Sequence, residues 1–399
     1  MGSLAQLKVF PMTIYLKKFV SGKTPLIFAL VCFALSPIAQ AATITVNCPD
    51  PNLQSKMDNA APGSTIIIIG TCTGNFTVSK NLTIRGQGGL GSPPTLDGTG
   101  FPGTVLTVPS GVNANVMGLA ITNGSGGGIA NSGTLTLTSS TVAKNSFPTG
   151  LGGGIVNEGG GTLTLTKSTV IGNTAEIGGG IYNAAAATLM SSSVTGNFAT
   201  GGGGLPGRGG GIANDGTLLI KDLSTITGNS TTDPNNEGEG GGILNDGTMN
   251  LQDASTVASN LAGLTGGGIF NLGTLTLKDS AIVTGNTATD LGGGIDNRGT
   301  LTLQVSSAVT GNTADDGGGI FNLGGTLTVQ ESATVAGNSA GDQGGGIYNS
   351  AGAVTLRNSA TVTGNTAANG GGGIFNTFGS ISIRDSATVT VNIPNQIAP

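Results

Sequence analysis

The run Gly-Gly-Gly-Ile-x-Asn occurs ten times, with its Ile at Ile129, Ile155, Ile181, Ile212, Ile243, Ile269, Ile295, Ile320, Ile347 and Ile374. The interval is 25 to 27 residues, and twice 31. A fixed period of this length marks a chain of stacked units, none of which buries its apolar face alone. Each copy is followed by a segment such as Thr274-Leu-Thr-Leu277 or Thr300-Leu-Thr-Leu303, and then by one such as Thr334-Val-Ala-Gly-Asn338. Three short period-two stretches, separated by Gly, Ser, Asn and Asp, read as one coil of three strands.

Other repeat architectures fit poorly. Propeller blades need four strands and about 40 residues, and the Gly-Gly-x-Gly-x-Asp calcium nonapeptide does not recur. A leucine-rich repeat would place Asn three residues after Leu165, where Ser168 stands. The remaining fold class is all-β, a parallel β-helix (solenoid) of about 12 to 13 coils stacked roughly 4.8 Å apart. Gly makes up 74 of the 399 residues, a share that would signal disorder if it were scattered, but it is periodic.

Alternation along a strand puts Leu275 and Leu277 inside and Thr274 and Thr276 outside, with Ile269 and Asn271 sharing one face. The repeated Asn is therefore expected inside, where the same residue one coil above and below supplies a donor and an acceptor. This predicts an asparagine ladder of Asn131, Asn157, Asn183, Asn214, Asn245, Asn271, Asn297, Asn322, Asn349 and Asn376. A second column, Asn286, Asn312, Asn338 and Asn365, closes the third strand. Residues 52–60 read as a short capping helix with Leu53 and Met57 inward. Pro394 follows the last strand segment and is suited to blunting its edge, because proline cannot extend a ladder.

Lys17, Lys18 and Lys23 precede an unbroken apolar run at 26–35, and Ala39-Gln40-Ala41 offers small side chains for cleavage. Residues 1–41 are thus expected to be a signal peptide, with Met12 as an alternative start. The run is shorter than the roughly 20 residues of a membrane span, so no transmembrane segment is expected in the mature chain. The expected organisation is 1–41 signal peptide, 42–124 cap and first coils, 125–392 repeat β-helix and 393–399 tail. Export leaves Cys48 and Cys72 in a compartment where disulfides persist, and they are expected to pair. Removing the four lysines of 1–41 leaves eleven Lys and Arg against twenty Asp and Glu, a net charge of −9. An acidic surface argues against a nucleic-acid partner, whose phosphates require clustered cations.

The run Gly172-Asn173-Thr-Ala-Glu-Ile-Gly-Gly-Gly-Ile181-Tyr-Asn183 resembles the repeats of the chlamydial polymorphic outer membrane proteins, and the resemblance covers residues 125–392. The stretch from Leu53 through Ala61-Pro-Gly63 to Asn81-Leu-Thr-Ile-Arg-Gly86 is similar to the opening of pectate-lyase-like (pectin-lyase-like fold) proteins. Together the resemblances imply a right-handed parallel β-helix and a secreted or cell-surface rod with an adhesive or structural role. The polymorphic proteins also carry a C-terminal β-barrel translocator, which these residues do not contain.

Several groups of residues are candidate sites. The residue between the repeated Ile and Asn is Tyr182, Phe270, Phe321, Tyr348 or Phe375 in five coils, half of the aromatic residues after residue 41. These rings either form an outward column for glycans or a surface protein, or lie buried beneath the preceding loop. Asp222, Asp253, Asp279, Glu331 and Asp385 share one turn position, and Asp290, Asp315, Asp316 and Asp342 precede the glycine runs; both groups read as solvated turns, with weak calcium binding as the alternative. Asp233-Pro-Asn-Asn-Glu237-Gly238 begins like a calcium loop, but its twelfth position is Leu244. Without His, no catalytic constellation is recognisable, and no cofactor or metal is expected. The leading reading is a structural or adhesive rod. The alternatives are a polysaccharide-active lyase or hydrolase, and an ice or mineral binder using outward Thr columns such as Thr274/Thr276, Thr300/Thr302 and Thr326/Thr328, interrupted by Leu219 and Asn250.

Overall fold

The computed structural model describes residues 40–88, 93–231 and 237–399, and the backbone of Ala5–Val9 and Met12–Leu16. The apolar run 26–35 of the expected leader and residues 233–236 of the calcium-loop-like stretch lie outside the described residues. The chain divides into two units, Met1–Ala39 and Gln40–Pro399. In the first, Ala5–Val9 and Met12–Leu16 pair as an antiparallel hairpin.

The second unit is a parallel β-solenoid of about 13 coils with four faces. One sheet has 14 strands, from Thr43–Asn47 to Ser380–Ile383; a second has 13, from Thr71–Thr73 to Thr388–Thr390. A third has 13, from Phe76–Thr77 to Ile397–Ala398, and contains the repeated Ile-x-Asn strands. The fourth, of nine strands, runs from Ser146–Leu151 to Thr366–Ala367 and corrects the expected three strands per coil. Its strands are as short as Thr287–Ala288, too brief to show a period-two pattern in the sequence.

Along the first sheet register is kept without slippage: Leu275 lies opposite Leu301, and Leu277 opposite Leu303. Because a one-residue slip would turn every inward side chain outward, the alternation itself fixes the pairing. Ile269, Leu275, Leu277 and Val283 are fully buried, as are Ile295, Leu301, Leu303 and Val309 in the next coil. One continuous apolar core results.

The glycine triplet serves two purposes. Gly292 has φ +62°, the left-handed region that penalises side chains. A Cβ on Gly293 would lie 2.3 Å from the Thr313 carbonyl oxygen of the next coil, and one on Gly294 2.6 Å from the Gly319 carbonyl oxygen. The second and third glycines therefore permit a backbone approach that no larger residue allows.

Both asparagine ladders are present. In the first, each Nδ2 from Asn131 to Asn349 donates to Oδ1 of the next rung at 2.7–2.8 Å. The second is longer than its four expected members, running through Asn145, Asn173, Asn197, Asn229 and Asn260 to Asn286, and ending at Asn392. Here, from Asn173 onward, each Oδ1 accepts two donors from the preceding coil: Asn286 sends its backbone N–H (2.9 Å) and its Nδ2 (3.0 Å) to Asn312.

The ends differ. The helix Leu53–Asn59 buries Leu53 and Met57 against the first coils. Cys48 and Cys72 are disulfide-bonded with Cα atoms 5.0 Å apart, tying the first strand of one sheet to the first strand of the next. At the other end Gln396 replaces a rung, its Oε1 accepting the Asn392 backbone N–H and Nδ2 at 3.0 and 2.9 Å. Ile397–Ala398, beyond Pro394, pairs with Ile374 and Phe375.

Replacing Asn271 with Ala removes a fully buried rung that accepts from Asn245 and donates to Asn297. The neighbours have no access to water, so the expected loss of stability is about 1–3 kcal/mol. Asn376→Ala, at the half-buried last rung, is expected to cost less. Urea unfolding of the two variants checks that order.

Candidate functional site

The residue between Ile and Asn sits on the outer face of the third sheet. Register places Val156, Tyr182, Ala213, Leu244, Phe270, Asp296, Phe321, Tyr348 and Phe375 in one row. Facing outward does not make this row exposed. The residues before each glycine triplet, Ile177, Arg208, Glu239, Thr265, Leu291 and Asp316, are joined coil to coil by single parallel bridges. Ile177 packs against the Phe270 cluster and the Thr265 hydroxyl bonds to Asp296, so these residues form a second layer over part of the row.

The five rings divide between the two alternatives, some buried and some partly open. Phe270 and Phe321 are buried at 2% and 6% exposure, while Tyr182, Tyr348 and Phe375 are half-buried. Phe270 clusters with Ala213 and Leu244, against Ile177 and Tyr182, and carries the Arg298 guanidinium 4.7 Å from its ring centre. The other three rings form a stack: Phe321 to Tyr348 is 4.8 Å and Tyr348 to Phe375 is 5.1 Å between centroids, both tilted. These spacings follow that of stacked coils, so backbone register sets the geometry of the stack.

Charged groups fill the gap between the two ring clusters. Asp296 is fully buried, paired with Arg298 at 3.0 Å and accepting a hydrogen bond from the Thr265 hydroxyl. Burial pushes its carboxyl up, and Arg298 opposes the shift. Arg208 pairs with Glu239 at 2.7 Å, and there too burial raises the carboxyl against the pull of the arginine. The Tyr182 hydroxyl donates to Asp215 Oδ2 at 2.6 Å; burial first, and then Asp215, push its ionisation up. Burial and the neighbouring Asp215 raise Asp246 as well. The sequence reading missed these charges, although Asp296 occupying a ring position two residues before Arg298 was a usable signal.

The acidic turn residues have a structural task. Asp222, Asp253, Asp279, Glu331 and Asp385 all hold left-handed φ values, between 57° and 61°. Four of the carboxylates accept backbone N–H groups of the preceding coil: Asp253 from Asp222 at 3.0 Å, Asp279 from Asp253 at 3.3 Å, Glu331 from Val305 at 2.8 Å and Asp385 from Asn358 at 3.0 Å. In the second acidic group the Asp316 carboxyl is pushed up to about 6, by burial foremost and by Asp342, Asp315 and Asp290, against a hydrogen bond from the Gln343 backbone. Among the described residues, no group of three or more His, Cys, Asp or Glu is placed to hold a metal ion. The outward Thr row is broken as its spacing suggested, register running Thr188, Leu219, Asn250, Thr276. Comparison with protein-family models, curated proteins and solved structures finds no match to this chain.

Two outcomes follow from this geometry. Phe270→Ala empties a packed site and is expected to cost about 3–5 kcal/mol, whereas Phe375→Ser, at the open end of the stack, is expected to cost far less. Thermal unfolding compares them. The folded state holds Asp316 at about 6, above the roughly 3.9 of an unfolded Asp, so its contribution to stability is complete below pH ~4 and lost as pH rises through 6. Asp316→Asn is therefore expected to stabilise the protein above pH 6, by at most about 1 kcal/mol because solvent screens a half-buried carboxylate, and to do nothing near pH 4. Denaturant midpoints at the two pH values check this.

Proposed function

We propose that this chain is a secreted or cell-surface structural rod that holds a glycan or a surface protein on the ring stack Phe321, Tyr348 and Phe375, without being an enzyme. The single observation behind this reading is that three rings are held at coil spacing with two of them half-buried. Aromatic faces of this kind suit the apolar faces of sugars or the side chains of a protein partner, and a register-fixed stack loses little entropy on binding. The repeated Gly, Ile, Asn and inward Leu residues are engaged in stacking the coils, whereas Tyr348 and Phe375 keep part of their rings open to a ligand. The likeness to polymorphic outer membrane protein repeats supports the same reading.

A glycan array probed with the full chain and with a Tyr348→Ser/Phe375→Ser variant tests the proposal. The native chain is expected to retain a set of glycans that the variant loses, with unfolding temperatures within a few degrees of each other. Equal retention by both chains would remove the stack from the binding surface.

A further inference from the structure

We propose that the ring stack Phe321, Tyr348 and Phe375 takes an arginine-bearing segment of a protein partner, whose guanidinium lies on a ring and bonds to the carboxylates beside it. This inference rests on the stack being a binding surface and names the chemistry of what it binds. One wall of the stack is made by the residues before each glycine triplet. A Cβ on Gly370 would lie 3.7 Å from two carbons of the Phe375 ring. Asp316 and Gln343 hold the same place, one residue before Gly317 and Gly344, beside Phe321 and Tyr348. Asp290, Asp315 and Asp342 form the next row out, and backbone hydrogen bonds of 2.8 Å join Asp316 to Asp290 and Asp342 to Asp315. Burial first, and then Asp342, Asp315 and Asp290, push the Asp316 carboxyl up, so the four groups act as one negative field.

No cation of the chain compensates this wall. Among the described residues no Lys or Arg forms an ion pair with Asp290, Asp315, Asp316 or Asp342. From residue 299 onward the only cations are Arg357 and Arg384, which follow first-sheet strands and bond to Gln330 and Ser382 at another corner. An anionic glycan would meet the wall with repulsion, whereas a cationic segment is drawn towards it.

The same row shows the geometry such an occupant would take. Arg298 lies 4.7 Å from the Phe270 ring centre while pairing with Asp296 at 3.0 Å. That guanidinium comes from the position after the repeated Asn, which in the coils of the stack is Leu323, Ser350 and Thr377. The stack therefore has rings and carboxylates but lacks the guanidinium that joins them around Phe270. A planar guanidinium stacks on an aromatic face and donates a fork of N–H groups to a carboxylate, which a compact ammonium group cannot do together. An arginine from a partner completes the stack as Arg298 completes the Phe270 cluster.

Fluorescence anisotropy at physiological salt compares labelled peptides in which Arg, Gln or Glu alternates with Gly. The full chain is expected to bind the Arg peptide at least about tenfold more tightly than the Gln peptide, and to leave the Glu peptide free. Tyr348→Ser/Phe375→Ser is expected to weaken the Arg peptide at least about fivefold. The isosteric Asp315→Asn/Asp316→Asn/Asp342→Asn is expected to bring it to the level of the Gln peptide. Asp253→Asn/Asp279→Asn/Glu331→Gln removes as much charge at another corner and is expected to change binding by less than about twofold, because salt screens distant charges. Thermal unfolding checks that each variant is folded. Equal binding of the Arg and Gln peptides, both weakened by the ring variant, would overturn the arginine assignment and spare the stack as a binding surface. Retention of neutral glycans on the rings with no peptide bound would do the same. An Arg peptide held equally by the ring variant would overturn both readings. Equal losses in the wall and corner variants would reduce the effect to net charge and overturn the assignment.

Discussion

Hydrogen bonds that run from coil to coil along the solenoid are the constraint on which everything else in this molecule depends. A single coil buries too few apolar side chains to offset the entropy of ordering its residues, so each exists only because a neighbour completes it. Asparagine suits such an arrangement because its amide carries both donor and acceptor, and identical side chains can therefore satisfy one another indefinitely. The direction is uniform, every Nδ2 pointing to the following rung. A column of one-way bonds must leave an orphan at its start. Asn131 lies opposite Val108, and its Oδ1 is buried without a partner. The second ladder avoids this at both ends: the Gly124 N–H donates to Asn145 Oδ1 at 2.9 Å, and Gln396 accepts from Asn392 at the last rung.

The corners meet the same demand with different chemistry. Four residues separate the buried Leu165 from Val170, and in these early coils buried serines accept the corner N–H: Ser140 donates to Ser168, Ser168 to Ser192 and Ser192 to Ser224, at 3.1–3.2 Å. Five residues separate Leu277 from Val283, and each kind of corner holds one left-handed residue, Lys167 in the shorter and Asp279 in the longer. There the orphan N–H lies at the surface, and carboxylates such as Asp253, Glu331 and Asp385 accept it instead. Acidic residues that line up in sequence are thus accounted for by one backbone group per coil.

The parts of this fold that could be read from sequence are those in which one residue answers to an identical one a period away. Inward Leu275 and Leu277 and the Asn131 to Asn376 ladder belong to that class, whereas the capping residues Leu53 and Met57 were legible from their helical spacing of four. The fourth sheet does not, because a strand such as Ser339–Ala340 is too short to alternate. What exposes or buries the ring row was hidden for a related reason. Alternation says only that Phe270 points away from the main core; that a second layer covers it depends on how the chain folds back before each glycine triplet, which the aligned positions of Arg208, Glu239 and Thr265 do not reveal.

The same register explains why the ring row has a boundary. Phe270, Asp296 and Phe321 are consecutive in the row, so the carboxylate stands between the buried cluster and the open stack. An isolated buried carboxylate would be costly, and it is tolerated here because Arg298 and Thr265 both bond to it. Arg298 in turn spreads over Phe270, joining charge compensation to the covering of that ring. The ion pair thereby closes the apolar cluster on one side and leaves the three rings beyond it as a separate stack, positioned by the backbone and set apart from the packing that stabilises Phe270.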